Sequence, residues 1–303
     1  MKLIERYTGT MFGLAVGDAI GTTVEFKERG TFEPLTDMIG GGPFYLEPGE
    51  WTDDTSQALC LAQSLIDCRG FDAKDQLDKY VQWYKHGYMS SNGTCFDIGD
   101  QTRKVLDEYI KTGDETNSAF VLSARLKNGQ LSSGNGSLMR IAPIALYYLS
   151  DTKLALKYAA QSSLTTHASA ECIECCVIFT ELLLLALSRF DKKYIVEYPR
   201  LKLIGADKID ANINSVQSSG YVKHSIAAAV WCFNQTDNFK DAVLLAANLG
   251  DDADTTAAIT GQLAGAYYGY YGIPSVWLEK ISNFQTISKI ACKLYNLDDG
   301  FTV

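Results

Sequence analysis

Proline is scarce in this chain, six residues in 303, and no polar low-complexity run interrupts it, so nothing marks a linker between folding units. One domain over residues 1–303 is the expectation, large for a single core but within what such enzymes reach. Positive charge is short as well: 27 lysines and arginines stand against 36 acidic residues, a formal net charge of -9. The lysine pairs are scattered, so the basic patch that a nucleic acid or an anionic membrane needs is missing, and neither is an expected partner. Long apolar runs are also lacking. The stretch from Met11 to Val16 is too short to span a bilayer and leads into Asp18, and the run from Leu182 to Leu187 is broken upstream by Glu181. Both read as core, and a cytoplasmic protein is expected. The eight cysteines do not follow a secreted-scaffold spacing, and the pair Cys172 and Cys175 has no second pair behind it. Buried, reduced thiols are expected there in place of a zinc or redox site.

What the chain has in quantity is helical periodicity. Leu77, Tyr80, Val81 and Tyr84 precede Gly87, and Leu106 and Ile110 precede Gly113, while strict apolar-polar alternation is scarce. Further patterns predict helices near 138–149, 153–164, 168–190, 221–233, 239–248, 255–271 and 275–295. The expected fold is all-α, a compact helical bundle. Two of its helices are rich in small residues: Gly13, Ala15, Gly17, Ala19 and Gly21 in the first, and Ala257, Ala258, Gly261, Ala264, Gly265 and Ala266 in a later one. Small residues at helical spacing let two backbones approach closely, which predicts that these helices are central and packed on each other.

Two short acidic clusters repeat one pattern of adjacent carboxylates and hydroxyls at a helix start: Trp51-Thr52-Asp53-Asp54-Thr55 and Gly250-Asp251-Asp252-Ala253-Asp254-Thr255. One reading is capping, since carboxylates there accept free backbone N–H groups, and Asp54 with Gln57 fits a capping box. The other is a shared cation site, because carboxylates so crowded repel unless protonated or bridged by a cation. Neither cluster contains histidine or cysteine, so joined they would offer hard oxygen ligands suited to Mg²⁺ or Mn²⁺. Asp18 and Glu25 follow the first apolar helix, and Gly21 would let the chain turn so that Glu25 returns towards the same region. Asp97, between Phe96 and Ile98, is half-buried and needs a partner. The loop Gly134-Asn135-Gly136-Ser137 before a helix has the form that binds an anion such as a diphosphate. His167 could cap, bind a substrate, or be an ordinary polar residue.

Taken in order, these blocks, with Thr166-His167, Gly220-Tyr221-Val222 and Asn248 through Gly265, resemble the ADP-ribosylglycohydrolase family over nearly the whole chain. The resemblance implies a two-metal centre, Mg²⁺ or Mn²⁺, in a central cleft that holds ADP-ribose. It implies Thr52, Asp53, Asp54, Asp252, Asp254 and Thr255 as metal ligands, and two catalytic carboxylates: Glu25 close to the metals at the scissile bond and Asp97 in contact with the ribose or the leaving group, either of which would handle the proton. The loop Gly134, Asn135, Gly136 and Ser137 would hold phosphate, His167 would contact substrate, and Tyr221 would stack on adenine. The activity implied is removal of ADP-ribose from a modified protein, with arginine favoured over serine or O-acetyl linkages. A second reading is a toxin-neutralising ADP-ribose binder that blocks an ADP-ribosyltransferase by contact. Asp251 departs from the family, which usually has glycine there; it adds charge near the metals or points away as a cap.

Overall fold

The computed structural model describes residues 1–115, 132–206 and 212–298. Its α-helices are α1 Leu3–Gly21, α2 Asp53–Cys68, α3 Ala73–His86, α4 Asp100–Thr112, α5 Ala142–Tyr147, α6 Thr152–Leu164 and α7 Ala170–Leu187. They continue with α8 Lys192–Val196, α9 Val222–Gln235, α10 Phe239–Ala247, α11 Ala253–Tyr268, α12 Ser275–Leu278 and α13 Phe284–Asp298. Among the described residues there is no strand, only the isolated bridges Gly41–Leu46 and Gly134–Tyr221, so the fold is all-α as expected. One cluster of buried apolar side chains runs from Tyr7 in α1 to Leu294 in α13. No helix among the described residues is long and apolar enough to cross a membrane.

The small-residue helices are the centre of the molecule. A Cβ placed on Gly13 would lie 2.2 Å from the carbonyl oxygen of Gly261, and one on Gly261 would lie 2.0 Å from that of Gly13. Gly9 meets Gly265, Gly17 meets Ala257 and Gly21 meets Ala253 in the same way. Each step of one turn up α1 is thus matched by one turn down α11: the two helices run antiparallel, backbone against backbone. An interior glycine costs a helix about 1 kcal/mol relative to alanine. Here only hydrogen fits, and the register brings the end of α1 onto the start of α11.

Several boundaries differ from the periodicity. The expected 138–149 helix shortens to α5 because Leu138 and Met139 both donate to the Asn135 carbonyl in a turn. The expected 275–295 helix is two, α12 and α13. Between them the Ser282 N–H donates to the Gly49 carbonyl at 3.0 Å, and Asn283 takes a left-handed φ of 51°. Ile110 is exposed on α4, whose buried face is carried by Val105, Leu106 and Tyr109. Of the cysteines, Cys60, Cys172, Cys175, Cys176 and Cys232 are buried, while Cys68 and Cys292 are exposed.

Candidate metal centre and substrate cleft

The α1–α11 register explains how clusters so distant in sequence meet. Asp18, buried in the last turn of α1, stands at the N-terminus of α2 and caps it from outside. Its Oδ1 accepts from the backbone N–H and hydroxyl of Thr52 at 2.9 and 2.8 Å, and its Oδ2 from those of Thr55 at 3.0 and 2.6 Å. Asp53 and Asp54 are thereby released from capping, and the Asp54–Gln57 capping box is not formed: Gln57 Nε2 donates to Asp53 Oδ2 at 2.7 Å. In the second cluster Asp252 occupies the N-cap of α11 but makes no side-chain cap bond; its Oδ2 accepts from Asn135 Nδ2 at 2.6 Å. Asp254 Oδ1 accepts the Thr255 backbone N–H at 2.7 Å, but capping does not account for Asp53, Asp54 or Asp252.

Glu25 does return to this region, though not through Gly21. Gly21 is helical, and its use is the close approach to Ala253 and Asp254. The chain turns at Phe26, held at φ 62° by an N–H bond to the Asp251 carbonyl at 2.8 Å, while the Asp251 N–H bonds the Lys27 carbonyl at 2.8 Å. Glu25, Asp97 and Asp254 then offer carboxylate oxygens all within 4.8 Å of one another, a group that can hold a metal ion. The two expected catalytic carboxylates thus share a cation-sized space with an expected ligand. Asp53, Asp252 and Thr255 line the same cleft, of about 690 Å³. Thr52 and Asp54 lie behind it: the Thr52 hydroxyl is 3.4 Å from Asp254 Oδ2, and Asp54 Oδ2 accepts from the Thr255 hydroxyl at 3.3 Å. Asp251 is exposed at the mouth, where it lines the cleft and adds its charge beside Asp252.

Seven carboxylates crowd this space: Asp18, Glu25, Asp53, Asp54, Asp97, Asp252 and Asp254. Burial pushes all of them above the usual carboxylate range, and mutual repulsion adds to it for Glu25, Asp53, Asp54, Asp97 and Asp254. Glu25 is raised to about 9 and Asp97 to about 8. Asp54 Oδ1 and Glu25 Oε2 are buried without a hydrogen-bond partner. An all-oxygen donor set with orphaned carboxylate oxygens fits a hard divalent cation. The ADP-ribosylglycohydrolase family model matches residues 1–300.

The chain belongs to the ADP-ribosylglycohydrolase family.

It is 41% identical over 302 residues to the ADP-ribosylarginine hydrolase Tri1 of Pseudomonas putida (strain GB-1), covering 97% of this chain and 79% of that protein. It is 33% identical over 282 residues to the ADP-ribosyl-[dinitrogen reductase] glycohydrolase of Rhodospirillum rubrum, covering 91% and 90%. A solved structure titled "ADP-ribosylglycohydrolase-related protein complex" superposes with a TM-score of 0.82 at 38% identity, covering 98% of this chain and 99% of that one.

The opposite wall of the glycohydrolase cleft carries the residues expected to bind substrate. Gly134, Asn135, Gly136 and His167 line it. Gly134 and Gly136 leave room for the imidazole, since a Cβ on Gly136 would come within 2.9 Å of His167 Cε1. The His167 ring is neutral, pushed down to about 3 by burial and by the nearby Arg140. Asn135 turns its amide to Asp252 and to Ser225 Oγ at 2.8 Å, and its N–H to the Gly220 carbonyl, so it positions a carboxylate. The Ser137 hydroxyl faces the core and bonds Ser163 at 2.9 Å. Tyr221 lines a smaller cavity with Lys223 and His224, and its hydroxyl donates to Glu171 at 2.8 Å. Sequence reasoning gave no role to Asp18 or Arg140 and only a capping role to Gln57, yet the three organise the site. Their signal was polarity in the wrong place: Asp18 lies inside an apolar helix, and Arg140 opens a buried one.

Proposed function

We propose that this protein is a single-domain, metal-assisted hydrolase that removes ADP-ribose from modified protein side chains, cleaving the N-glycosidic bond to arginine. The observation that carries this reading is the meeting of Glu25, Asp97 and Asp254 within 4.8 Å in a cleft of a chain 41% identical to an ADP-ribosylarginine hydrolase. Thr52, Asp53, Asp54, Asp252, Asp254 and Thr255 would hold two Mg²⁺ or Mn²⁺ ions, which when bound supply a template for the ribose hydroxyls and activate water. The bond that breaks joins C1 of the distal ribose to a guanidino nitrogen, through a transition state with oxocarbenium character that surrounding carboxylates stabilise. Glu25 or Asp97 handles the proton, because both line the cleft and both retain protons well above the ordinary carboxylate range. Gly134 and Gly136 leave the backbone accessible to the diphosphate. At the mouth, the exposed ring of Phe26 and the exposed Asp251 suit a departing guanidinium, which is drawn both to aromatic faces and to carboxylates. The free thiols fit a reducing cytoplasm.

The test is release of ADP-ribose from arginine- and serine-modified peptides in the presence of Mg²⁺ or Mn²⁺. Release from arginine, lost in Asp254→Ala together with metal binding, is the expected result. Release from serine alone would overturn the linkage. An Asp254→Ala variant that still neutralised an ADP-ribosyltransferase in cells would favour occlusion over hydrolysis.

A further inference from the structure

Arg140 is completely buried, and among the described residues its hydrogen-bond partners are all neutral. One guanidinium nitrogen donates to Gln57 Oε1, the other donates to Thr166 Oγ1 at 2.6 Å and more weakly to Thr165 Oγ1 at 3.4 Å, and the guanidinium carbon stands 4.4 Å from the centre of the Tyr80 ring. A guanidinium can only donate, so the Thr166 oxygen accepts from it. The hydroxyl proton of Thr166 is then left for His167 Nδ1, 2.8 Å away. A buried hydroxyl facing an N–H there would strand its own proton without an acceptor, so Nδ1 accepts and the single proton of the neutral imidazole sits on Nε2. Nε2 lies along the cleft wall, where a Cβ on Gly136 would stand 3.1 Å from it and one on Gly134 3.6 Å. On the other side of Arg140 the same logic orients Gln57. Its oxygen is taken by the guanidinium, so its amide nitrogen is the group that meets Asp53 Oδ2 at 2.7 Å.

We propose that Arg140 is a positioning residue for the reaction: through Thr166 it fixes His167 as an Nε2–H donor aimed at a substrate oxygen, and through Gln57 it fixes Asp53, so that one buried cation sets both walls of the cleft. Only the identity of the accepting oxygen depends on the substrate proposed above; the donor state belongs to the free protein. The chain has three histidines, which makes a ¹⁵N-histidine NMR experiment on the full-length protein tractable, with His167 assigned by the signal that disappears in His167→Gln. The ligand-free protein should give the Nε2–H pattern for His167. Thr166→Ser should preserve it, whereas Thr166→Val, which keeps the shape and removes the hydroxyl, should shift part of the population to Nδ1–H. Binding of ADP-ribose by calorimetry in saturating Mg²⁺ or Mn²⁺ should weaken by roughly 3- to 10-fold in the valine variant and recover in the serine variant, as for loss of one hydrogen bond. An Nδ1–H ring in the wild type would overturn the assignment, and so would a Thr166→Val protein with the same tautomer and the same affinity. If the valine variant does not fold, the wild-type spectrum still decides the point. A wild type that shows Nε2–H but does not bind ADP-ribose in saturating Mg²⁺ or Mn²⁺ would refute the functional reading and leave the His167 donor state standing.

Discussion

A buried carboxylate oxygen with no donor is costly unless it is protonated or meets a cation, and Asp54 Oδ1 is in that position. Asp54 is also repelled by Asp18, Asp53, Asp252 and Asp97. Converting it to asparagine removes one charge from the crowd without changing the shape. The sign of the pH dependence follows from the raised carboxyls. Glu25 and Asp97 bind protons more tightly folded than unfolded, so the native state holds the extra protons between the ordinary carboxylate range and about 9 and about 8. The stability they contribute is complete below the unfolded pKa and is lost as pH rises through the folded one. Melting of the wild type in EDTA should therefore fall in temperature as pH rises across this window, and added Mg²⁺ or Mn²⁺ should oppose the fall by taking the place of protons. Asp54→Asn should melt higher than wild type in EDTA at the alkaline end and gain little from the metal. A flat profile for the wild type in EDTA, measured by differential scanning fluorimetry, would contradict the account.

The pairing of α1 with α11 decides where these carboxylates stand. A methyl group on Gly261 would sit 2.0 Å from the Gly13 carbonyl oxygen, backbone against backbone, with no flexible side chain to give way. Gly261→Ala must push the helices apart, at a cost of roughly 1–3 kcal/mol, the usual range for overpacking, and chemical denaturation should record it. Because Asp254 rides on α11 and Asp18 on α1, the same variant should also bind Mn²⁺ more weakly, although Gly261 touches no ligand. A protein that lost stability but kept its metal affinity would mean that the acidic site is held by its loops. This pairing was legible in the sequence, as small residues at helical spacing, and so were most helices. The capping was not legible, because the acid that caps α2 is Asp18, 34 positions upstream of Thr52, and no local pattern reveals a cap brought in by another helix. The break between α12 and α13 was hidden for the same reason: the acceptor that draws the Ser282 N–H out of the helix is Gly49. The side-chain partners of Asn135 and Ser137 were not legible either, because a glycine-punctuated loop announces free backbone but not which way its side chains turn.

At the scale of the whole molecule, charge sets a condition on function. The chain carries a net charge of -9, and nine of its carboxylates face or flank one cleft, Asp100 and Asp251 at its edge included. The proposed ligand, ADP-ribose, is itself an anion through its diphosphate, so the empty acidic cleft opposes it, and the neutral His167 supplies a hydrogen bond but no charge. Bound divalent cations reverse the local field, which makes metal and nucleotide sugar positively coupled ligands. ADP-ribose should therefore bind more tightly in saturating Mg²⁺ or Mn²⁺ than in EDTA, by about 5- to 150-fold if the coupling has the usual size. Linkage makes the effect reciprocal: ADP-ribose must raise the affinity for the metal by the same factor. Calorimetric titrations in both orders give the two factors independently. Equal factors above one are the expected result, whereas ADP-ribose binding that is indifferent to the metal would place the diphosphate outside the field of the carboxylates, away from the wall formed by Gly134, Gly136 and His167.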